Sequence, residues 1–253
     1  YIPVEKGIPS GRIDYIVKDS EAKLVLTDDS VEGIHLPYIN VKTVTTGVMS
    51  VNSGQNRKHE NLYILYTSGT TGTPKGVEIK EQAVINLVNY LNRMIYSGYE
   101  HTDVALIASP MFDASVQQIF TALLYGHTLH LITDRIKQNT GSMWEYLNSN
   151  HIMITDGTPS YIELLFHSNE GQVETKEYII GGEALKPELI DAIAIKTTDA
   201  NVYNVYGPTE TTVDVTCYLC KGVDAKKNSV SIGTPIDNTG ILIMNGNSLC
   251  GIG

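Results

Sequence analysis

The sequence predicts an α/β fold in which a mostly parallel sheet is flanked by helices and the chain becomes more β-rich after residue 207. Two observations support this prediction. From residue 62 to residue 206, short apolar runs alternate with longer segments of helical spacing, and such alternation implies right-handed crossovers between parallel strands. After Gly207, residues 212–220 and 231–244 are rich in β-branched side chains with no helical pattern between them, so the sheet there is predicted to be mixed.

The first α/β step is predicted in residues 11–27. Ile13, Ile16 and Val17 have helical spacing, and residues 22–27 form a short apolar run typical of a strand. Residues 29–60 are polar and irregular, and residues 50–60 are typical of a surface loop. Further strands are predicted at 62–67, 104–109, 129–133, 152–155, 178–180 and 201–206. Further helices are predicted at 81–96, at 114–125, around Trp144, at 159–166 and at 187–196.

Composition and charge limit the classes of protein. The chain has 253 residues, 42% hydrophobic and 18% charged, which is enough to bury a core as one large domain or two subdomains. The formal net charge is -10 without a basic tract, which argues against nucleic acid and anionic membranes as partners. No apolar run approaches the roughly 18 residues of a membrane span, and the first residues lack a signal-peptide pattern. We therefore expect a cytoplasmic protein, and the missing initial Met and abrupt ending suggest a fragment.

The three cysteines are too few for a disulfide scaffold. Cys217 and Cys220 form a CxxC pair, but they lie in a β-rich run, where residues three apart point to opposite faces. No second pair completes a zinc site. Buried thiols are the favoured interpretation of this pair, and Cys250 stands alone.

A glycine-rich segment from Tyr66 to Gly76 follows the predicted strand at 62–67. Its glycines permit close backbone approach to an anion, and its five hydroxyls and one lysine can donate to phosphate oxygens. These residues are Gly69, Gly72 and Gly76, with Thr67, Ser68, Thr70, Thr71 and Thr73, and Lys75. The segment differs from the GxxxxGK[ST] phosphate loop, because Pro74 precedes Lys75 and no Ser or Thr follows it. By composition alone, a polar hairpin turn is the alternative.

The full segment resembles the phosphate-binding signature of adenylate-forming enzymes, in the form found in adenylation domains of nonribosomal peptide synthetases. The resemblance extends along the chain. It is carried further by residues 1–4 with Pro9, Phe-Asp-Ala-Ser at 112–115, Gly-Gly-Glu-Ala at 181–184, Asn-Val-Tyr-Gly-Pro-Thr-Glu at 204–210, and Ile-Gly-Thr-Pro-Ile at 232–236. It implies that residues 1–253 are an incomplete large N-terminal core of an adenylation domain, lacking the first part of the core and the C-terminal lid.

The resemblance implies that the chain binds ATP and Mg²⁺ and that a substrate carboxylate attacks the α-phosphorus to give an acyl-AMP and pyrophosphate. Thr209 would contact the α-phosphate, Glu210 would hold Mg²⁺, and Tyr206 would lie against the adenine ring. The implied catalytic residues are Thr71, Lys75, Thr209 and Glu210. The implied nucleotide-binding residues are Thr67, Ser68, Gly69, Thr70, Gly72, Gly182, Asn204, Tyr206 and Gly207. In the family, the acyl group then passes to the phosphopantetheine of a carrier protein, so carrier and condensation domains of an antibiotic assembly line are the expected partners.

The family's substrate pocket implies a set of side-chain contacts. It maps onto Asp113, Ala114, Gln117, Asp156, Ile179, Gly181, Val205, Val213 and Asp214. Asp113 would pair with the α-ammonium of an amino acid. A glutamine carboxamide could donate to Asp156 and accept from Gln117, whereas glutamate would bring a like charge to Asp156 at a cost of about 1–3 kcal/mol or more. Glutamine is therefore the expected substrate.

Two alternatives remain open from the sequence. One is a stand-alone amino acid–carrier protein ligase similar to the D-alanine ligases, although Gln117 and Asp156 indicate a larger, polar side chain. The other is a nucleotide-binding fragment that is inert because the family's lid, with its catalytic lysine, and the preceding ribose-binding aspartate are not among the 253 residues. On that basis, we expect the chain alone to bind ATP weakly and not to turn over.

Overall fold

A computed structural model describes residues 1–28, 36–44, 61–68, 74–168, 171–220 and 229–250. The chain divides into two compact units, Tyr1–Glu81 and Gln82–Gly253. Each unit has its own sheets.

The first unit contains one helix and two small sheets. Helix α1 spans Ser10–Asp19 and buries Ile16, as its spacing predicts. Strand β1 (Val25–Thr27) pairs in parallel with β2 (Tyr38–Asn40), and β3 (Asn61–Ser68) pairs antiparallel with β4 (Pro74–Lys80). Of the predicted loop at 50–60, all residues lie outside the described ones.

Strand β4 corrects the predicted order of elements. The sequence pattern predicts a helix at residue 81 directly after the strand at 62–67 and the glycine-rich segment, with no strand between them. Instead, Val77 and Ile79 alternate with Glu78 and Lys80, and this short strand pairs with β3 through seven residue pairs from Asn61↔Lys80 to Ser68↔Pro74. Strand β3 is therefore half of a hairpin rather than the first strand of a parallel crossover.

The second unit is a seven-stranded sheet with helices between most of its strands. Its helices are α2 (Glu81–Met94), α3 (Ala114–Leu124), α4 (Asp134–Lys137), α5 (Thr140–Ser149), α6 (Pro159–Ser168) and α7 (Pro187–Lys196). Its sheet strands are β5 (Asp103–Leu106), β6 (Thr128–Leu131), β7 (Ile154–Gly157), β8 (Glu177–Ile180), β9 (Asn201–Tyr206), β10 (Thr216–Cys220) and β11 (Thr234–Pro235). A separate hairpin pairs β12 (Met244–Asn245) with β13 (Ser248–Leu249).

The strand order confirms the predicted fold class. The order is β11-β10-β9-β8-β7-β5-β6. Strands β6, β5, β7, β8 and β9 run parallel, whereas β9/β10 and β10/β11 are antiparallel. Among the described residues after 207 there is no α-helix, in agreement with the predicted β-rich end. Because β6 lies on one side of β5 and β7 on the other, the connections diverge beside β5, and this is where ligands usually bind in open α/β sheets.

The core of the second unit lies between the sheet and the helices α5, α6 and α7. Trp144 is buried there, and its indole Nε1 donates to the carbonyl oxygen of Leu165 at 2.7 Å. Its ring packs edge-on against Phe166, with the two ring centroids 5.1 Å apart. Cys217 and Cys220 are buried thiols in β10, in agreement with the favoured interpretation of this pair, and Cys250 is exposed. Within the described ranges, no helix has the length and apolar character needed to cross a membrane.

Candidate active site

A cavity of about 510 Å³ opens at the carboxyl ends of the parallel strands of the second unit. It is lined by residues that end or follow β5, β7, β8 and β9 and by the first turn of α3. Eight of the nine predicted substrate residues line it: Asp113, Ala114, Gln117, Asp156, Gly181, Val205, Val213 and Asp214. The ninth, Ile179, is buried in β8 in register with Asp156, and it is not among the lining residues.

Asp113 lines this cavity, and its side chain is hydrogen-bonded to Thr209. Asp113 immediately precedes α3, yet its side chain makes no capping hydrogen bond to the helix. Instead, the Thr209 hydroxyl Oγ1 donates to Asp113 Oδ2 at 2.6 Å. Thr209 begins a short 3-10 turn, Thr209–Thr211, that follows β9. The residue expected at the phosphate and the residue expected at the α-ammonium are thus directly hydrogen-bonded.

Three buried polar residues that line the cavity, Gln117, Asp156 and Asp214, are called its floor, and two of them carry carboxyl groups. Asp156 and Asp214 are exposed by only 6% and 5%. Gln117 Nε2 donates a short hydrogen bond to Asp156 Oδ2. Two floor atoms, Gln117 Oε1 and Asp214 Oδ2, are buried and make no hydrogen bond with the described residues. The floor therefore presents acceptors that a ligand's donors could satisfy.

Burial raises the pKa of both carboxyl groups of the floor. It raises the pKa of Asp156 to about 7; Asp113 adds to this shift, and the amides of Gln117 and Gln118 partly offset it. Burial also raises the pKa of Asp214 well above its ordinary value, with Asp156 and Asp113 adding like charge and Gln117 partly offsetting it. Desolvation disfavours an isolated carboxylate, so burial favours the protonated form of the Asp214 carboxyl, which can donate as well as accept.

Two glycines make room for the cavity walls. A Cβ atom on Gly181 would lie 2.7 Å from Val205 Cγ2, and one on Gly207 would lie 2.2 Å from the carbonyl oxygen of Val213. Opposite Gly207, Thr212 and Val213 both have left-handed backbone, with φ of 70° and 64°. Such angles are uncommon for β-branched residues and are found where surrounding structure imposes them. The tight contact at Gly207 and this loop together position Asp214 on the floor.

The residues expected at the base are arranged around the ends of β8 and β9. Tyr206 is half-exposed, whereas Asn204 is buried and its Nδ2 donates to the carbonyl oxygen of Ser231 at 2.8 Å. Gly182 has φ of +84°, which favours glycine. Neither Asn204 nor Tyr206 lines the cavity.

Nine residues that line the cavity were not predicted as site residues, and three of them carry polar side chains with long reach: Gln118, Lys137 and Glu183. Glu183 Oε2 accepts hydrogen bonds from the backbone N and the hydroxyl of Ser160 and so caps the start of α6. The Pro-Ser pair at the predicted start of that helix was a signal that a cap was needed. Gln118 Oε1 accepts from the backbone N of Ile107 at 3.0 Å, which its position beside Gln117 does not reveal.

The glycine-rich segment belongs to the first unit. Thr67 and Ser68 lie at the end of β3, and Lys75 pairs with Thr67 across the hairpin from β4. The remaining predicted phosphate-site residues lie outside the described residues: Gly69, Thr70, Thr71 and Gly72.

Glu210 is an exposed carboxylate in the turn that begins with Thr209. In the described part of the chain, no three His, Cys, Asp or Glu side chains are grouped as a metal site. Mg²⁺ is commonly held by one or two carboxylates together with substrate phosphates and water. A single accessible carboxylate beside Thr209, whose hydroxyl is predicted to contact the phosphate, fits that mode of binding.

Comparison with known proteins decides the family. A model of the family described as AMP-binding enzyme matches residues 1–251. The chain belongs to the AMP-binding enzyme family. It is 38% identical to bacitracin synthase 1 of Bacillus licheniformis over 96% of this chain, and 36% identical to surfactin synthase subunit 1 of Bacillus subtilis (strain 168) over 96% of this chain. It spans 5% and 7% of the lengths of these two relatives.

Solved structures agree with this assignment. One is a four-domain nonribosomal peptide synthetase bound to AMP and glycine, which superposes with a TM-score of 0.77 at 26% sequence identity. The matched region covers 93% of this chain and 17% of the synthetase chain. A synthetase protein containing adenylation and carrier domains matches 96% of this chain and 50% of its own, with a TM-score of 0.82. At 20% identity, that second likeness supports the fold alone.

Proposed function

We propose that this member of the AMP-binding family activates an α-amino acid with ATP, forming aminoacyl-AMP and pyrophosphate for transfer to a carrier protein. The observation that carries the proposal is the hydrogen bond from Thr209 to Asp113, a residue that lines the cavity. In this proposal Asp113 would pair with the α-ammonium, and the hydroxyl of Thr209 would donate to a phosphate oxygen. An amino acid bound between them would have its carboxylate near the α-phosphorus, and such positioning supplies much of the catalysis of phosphoryl and adenylyl transfer.

The chain's own residues supply binding and charge compensation in this scheme. Lys75, with the hydroxyls of Thr67, Ser68, Thr70 and Thr71, would bind the phosphates of ATP. Mg²⁺ held by Glu210 would neutralise charge that develops on the leaving pyrophosphate. Tyr206 offers a half-exposed aromatic face to the adenine ring.

Exchange of pyrophosphate into ATP tests the phosphate site. In the intact protein that carries this chain, Lys75→Ala or Thr71→Ala should lower amino-acid-dependent exchange at least tenfold, since charge-stabilising donors typically contribute that much or more. Lys80→Ala changes an exposed lysine on the same strand and should leave exchange within about twofold. If exchange is unchanged in both Lys75→Ala and Thr71→Ala, the proposed role of these residues in binding the phosphates of ATP is wrong.

We further propose that the substrate is glutamine, the side chain that best complements the floor. The carboxamide NH₂ would donate to Gln117 Oε1 and Asp214 Oδ2, the two buried acceptors without a hydrogen bond in the described structure. Its carbonyl oxygen would accept a hydrogen bond from Asp214 in the protonated form that the raised pKa of this carboxyl favours. Glutamate would instead bring a carboxylate to a floor that already holds two buried carboxyl groups.

Amino-acid survey experiments test the substrate. Exchange measured with all twenty amino acids should be highest with glutamine and at least tenfold lower with glutamate, because an unpaired buried charge costs more than 1–3 kcal/mol. Gln117→Lys should shift the preference toward glutamate, since an ammonium at this site offsets the added carboxylate. Gln138→Lys makes the same change at an exposed position outside the cavity and should leave the preference for glutamine. A wild-type preference for another amino acid would contradict the substrate assignment.

A further inference from the structure

We infer that the hydroxyl proton of Thr209 couples the amino-acid and ATP sites, so that each substrate tightens the binding of the other. The inference rests on the proposed function, because it takes Asp113 as the ammonium site and Thr209 as the phosphate contact. In this coupling, the hydrogen bond that the Thr209 hydroxyl donates moves from Asp113 to the phosphate. The hydroxyl carries one proton and can donate to only one of them at a time.

In the structure, the hydroxyl of Thr209 directs that proton at Asp113. Thr209 Oγ1 donates to Asp113 Oδ2 at 2.6 Å, a distance typical of a hydroxyl bound to an ionised carboxylate. Asp113 makes no capping bond to its own helix, so its carboxylate is not committed to α3. Phosphate binding at this hydroxyl would bring two acceptor oxygens together unless the proton turns away from Asp113. That rotation leaves Asp113 without the donor it had.

An α-ammonium compensates for that loss. It supplies up to three N–H donors to Asp113, and the hydroxyl is then released to donate to the phosphate. ATP bound alone must break the Asp113 bond without replacement, whereas ATP bound with the amino acid does not. Thermodynamic linkage requires the amino acid to gain the same factor from ATP.

The local backbone allows the hydroxyl to turn without moving the residue. Thr212 N donates to the carbonyl oxygen of Thr209 at 3.2 Å, and Thr211 N donates to that of Pro208 at 2.9 Å. Just beyond the turn, Val215 N donates to the carbonyl oxygen of Tyr206 at 2.8 Å. These bonds fix the main chain of the turn, whereas the hydroxyl hydrogen of a threonine rotates freely. The coupling therefore needs no lid or domain movement.

Calorimetric titration of the intact protein that carries this chain tests the inference with L-glutamine, Mg²⁺ and the α,β-methylene analogue of ATP. Saturating glutamine should lower the Kd of the analogue about tenfold, within the usual range of coupling between sites. Glutaramic acid, which keeps the carboxylate and carboxamide of glutamine but lacks the α-ammonium, should give no such enhancement.

Variants separate this role from a structural one. Thr209→Ser keeps the hydroxyl and should keep the enhancement. Thr209→Val should weaken binding of the analogue, reduce the enhancement to about onefold, and leave glutamine binding in the absence of nucleotide no weaker than in wild type. Thr211→Val removes a hydroxyl that donates to Pro208 in the same turn and should retain the full enhancement.

The outcomes distinguish this inference from the proposed function. If wild type binds both ligands without mutual enhancement, if Thr209→Val keeps the enhancement, or if Thr209→Ser loses it, the coupling role is wrong and the proposed function stands. An enhancement by glutaramic acid equal to that by glutamine also overturns the inference. If wild type binds neither ligand, the proposed function fails, and the inference fails with it.

Discussion

Replacing Asp156 with asparagine should remove a loss of stability that the wild-type chain suffers as pH rises. The folded protein raises the pKa of this carboxyl from its ordinary 3.8 to about 7, chiefly by burial. A raised pKa means that the folded state holds the proton more tightly than the unfolded state. The contribution of Asp156 to the unfolding free energy is therefore highest below about pH 4 and falls as pH rises toward 7.

The size of the effect follows from the shift. About three pKa units correspond to about 4 kcal/mol in total, of which about 2 to 3 kcal/mol falls between pH 5 and pH 8. Asp156→Asn cannot ionise, yet its Oδ1 can still accept the hydrogen bond from Gln117 Nε2. Its unfolding free energy should therefore lack most of this decline, and a residual decline is expected from Asp214, whose pKa is also raised.

Urea denaturation followed by fluorescence measures this difference. Trp144 is the only tryptophan, and it lies buried in the same unit as Asp156, so it reports the unfolding of that unit. The lowered pKa of His127, caused by burial and by His101, gives an opposite slope below its ordinary 6.5. That slope is common to both proteins and cancels when they are compared.

Asp191→Asn is the matched control, because Asp191 is an exposed carboxylate on α7. It should retain the wild-type dependence on pH. The raised pKa of Asp156 is contradicted if the unfolding free energy of Asp156→Asn falls as steeply as that of wild type between pH 5 and pH 8. It is also contradicted if the unfolding free energy of the Asp191→Asn control loses its dependence on pH to the same extent.

Two further substitutions test the packing of the second unit. Gly207→Ala should lower the unfolding free energy by about 3 kcal/mol or more, because its Cβ would lie 2.2 Å from the carbonyl oxygen of Val213. Gly240→Ala is the control, because a Cβ at that position has no heavy atom within 4 Å. Equal urea midpoints for the two variants would contradict the predicted clash. Arg93→Ala removes a half-exposed ion pair in which Arg93 Nη2 lies 2.7 Å from Asp237 Oδ2. The unfolding free energy should fall by less than about 1 kcal/mol, and this loss should shrink in about 1 M salt because salt screens exposed charges. A loss that does not depend on salt would show that Arg93 acts through packing.

Most helices and strands of the second unit could be predicted from sequence because their patterns are strong and local. Helix α7 begins and ends where its proline and apolar spacing indicate, and β9 matches its apolar run at 201–206. Strand β4 could not be separated from its neighbours in the same way. Its alternation covers only a few residues and runs directly into α2, and its partner β3 is close in sequence, so crossover rules give no information about it.

The membership of the candidate site could be inferred from motif order, but its contacts could not. Asp113 and Thr209 are 96 positions apart, and only the folded sheet brings their side chains together. The orientation of the Gln117 amide is a second example. Its residue type suggested a donor to the substrate carbonyl, whereas in the structure Nε2 donates to Asp156 and Oε1 is left without a hydrogen bond. Side-chain hydrogen bonds of this kind depend on geometry that residue types alone do not determine.

The loop from Thr212 to Asp214 shows why this cavity is better explained by ligand binding than by stability. Left-handed backbone costs roughly 1–2 kcal/mol for each residue other than glycine, and here two β-branched residues adopt it in succession. The residue that they deliver is Asp214, a carboxyl group exposed by only 5% with one oxygen lacking a hydrogen bond. A stable core would avoid both the strained backbone and the buried acid, since apolar side chains of similar size pack without either cost. Both unfavourable features lie where the predicted substrate residues converge, so a bound side chain that donates to Asp214 and Gln117 would relieve the floor of its unmet hydrogen bonds.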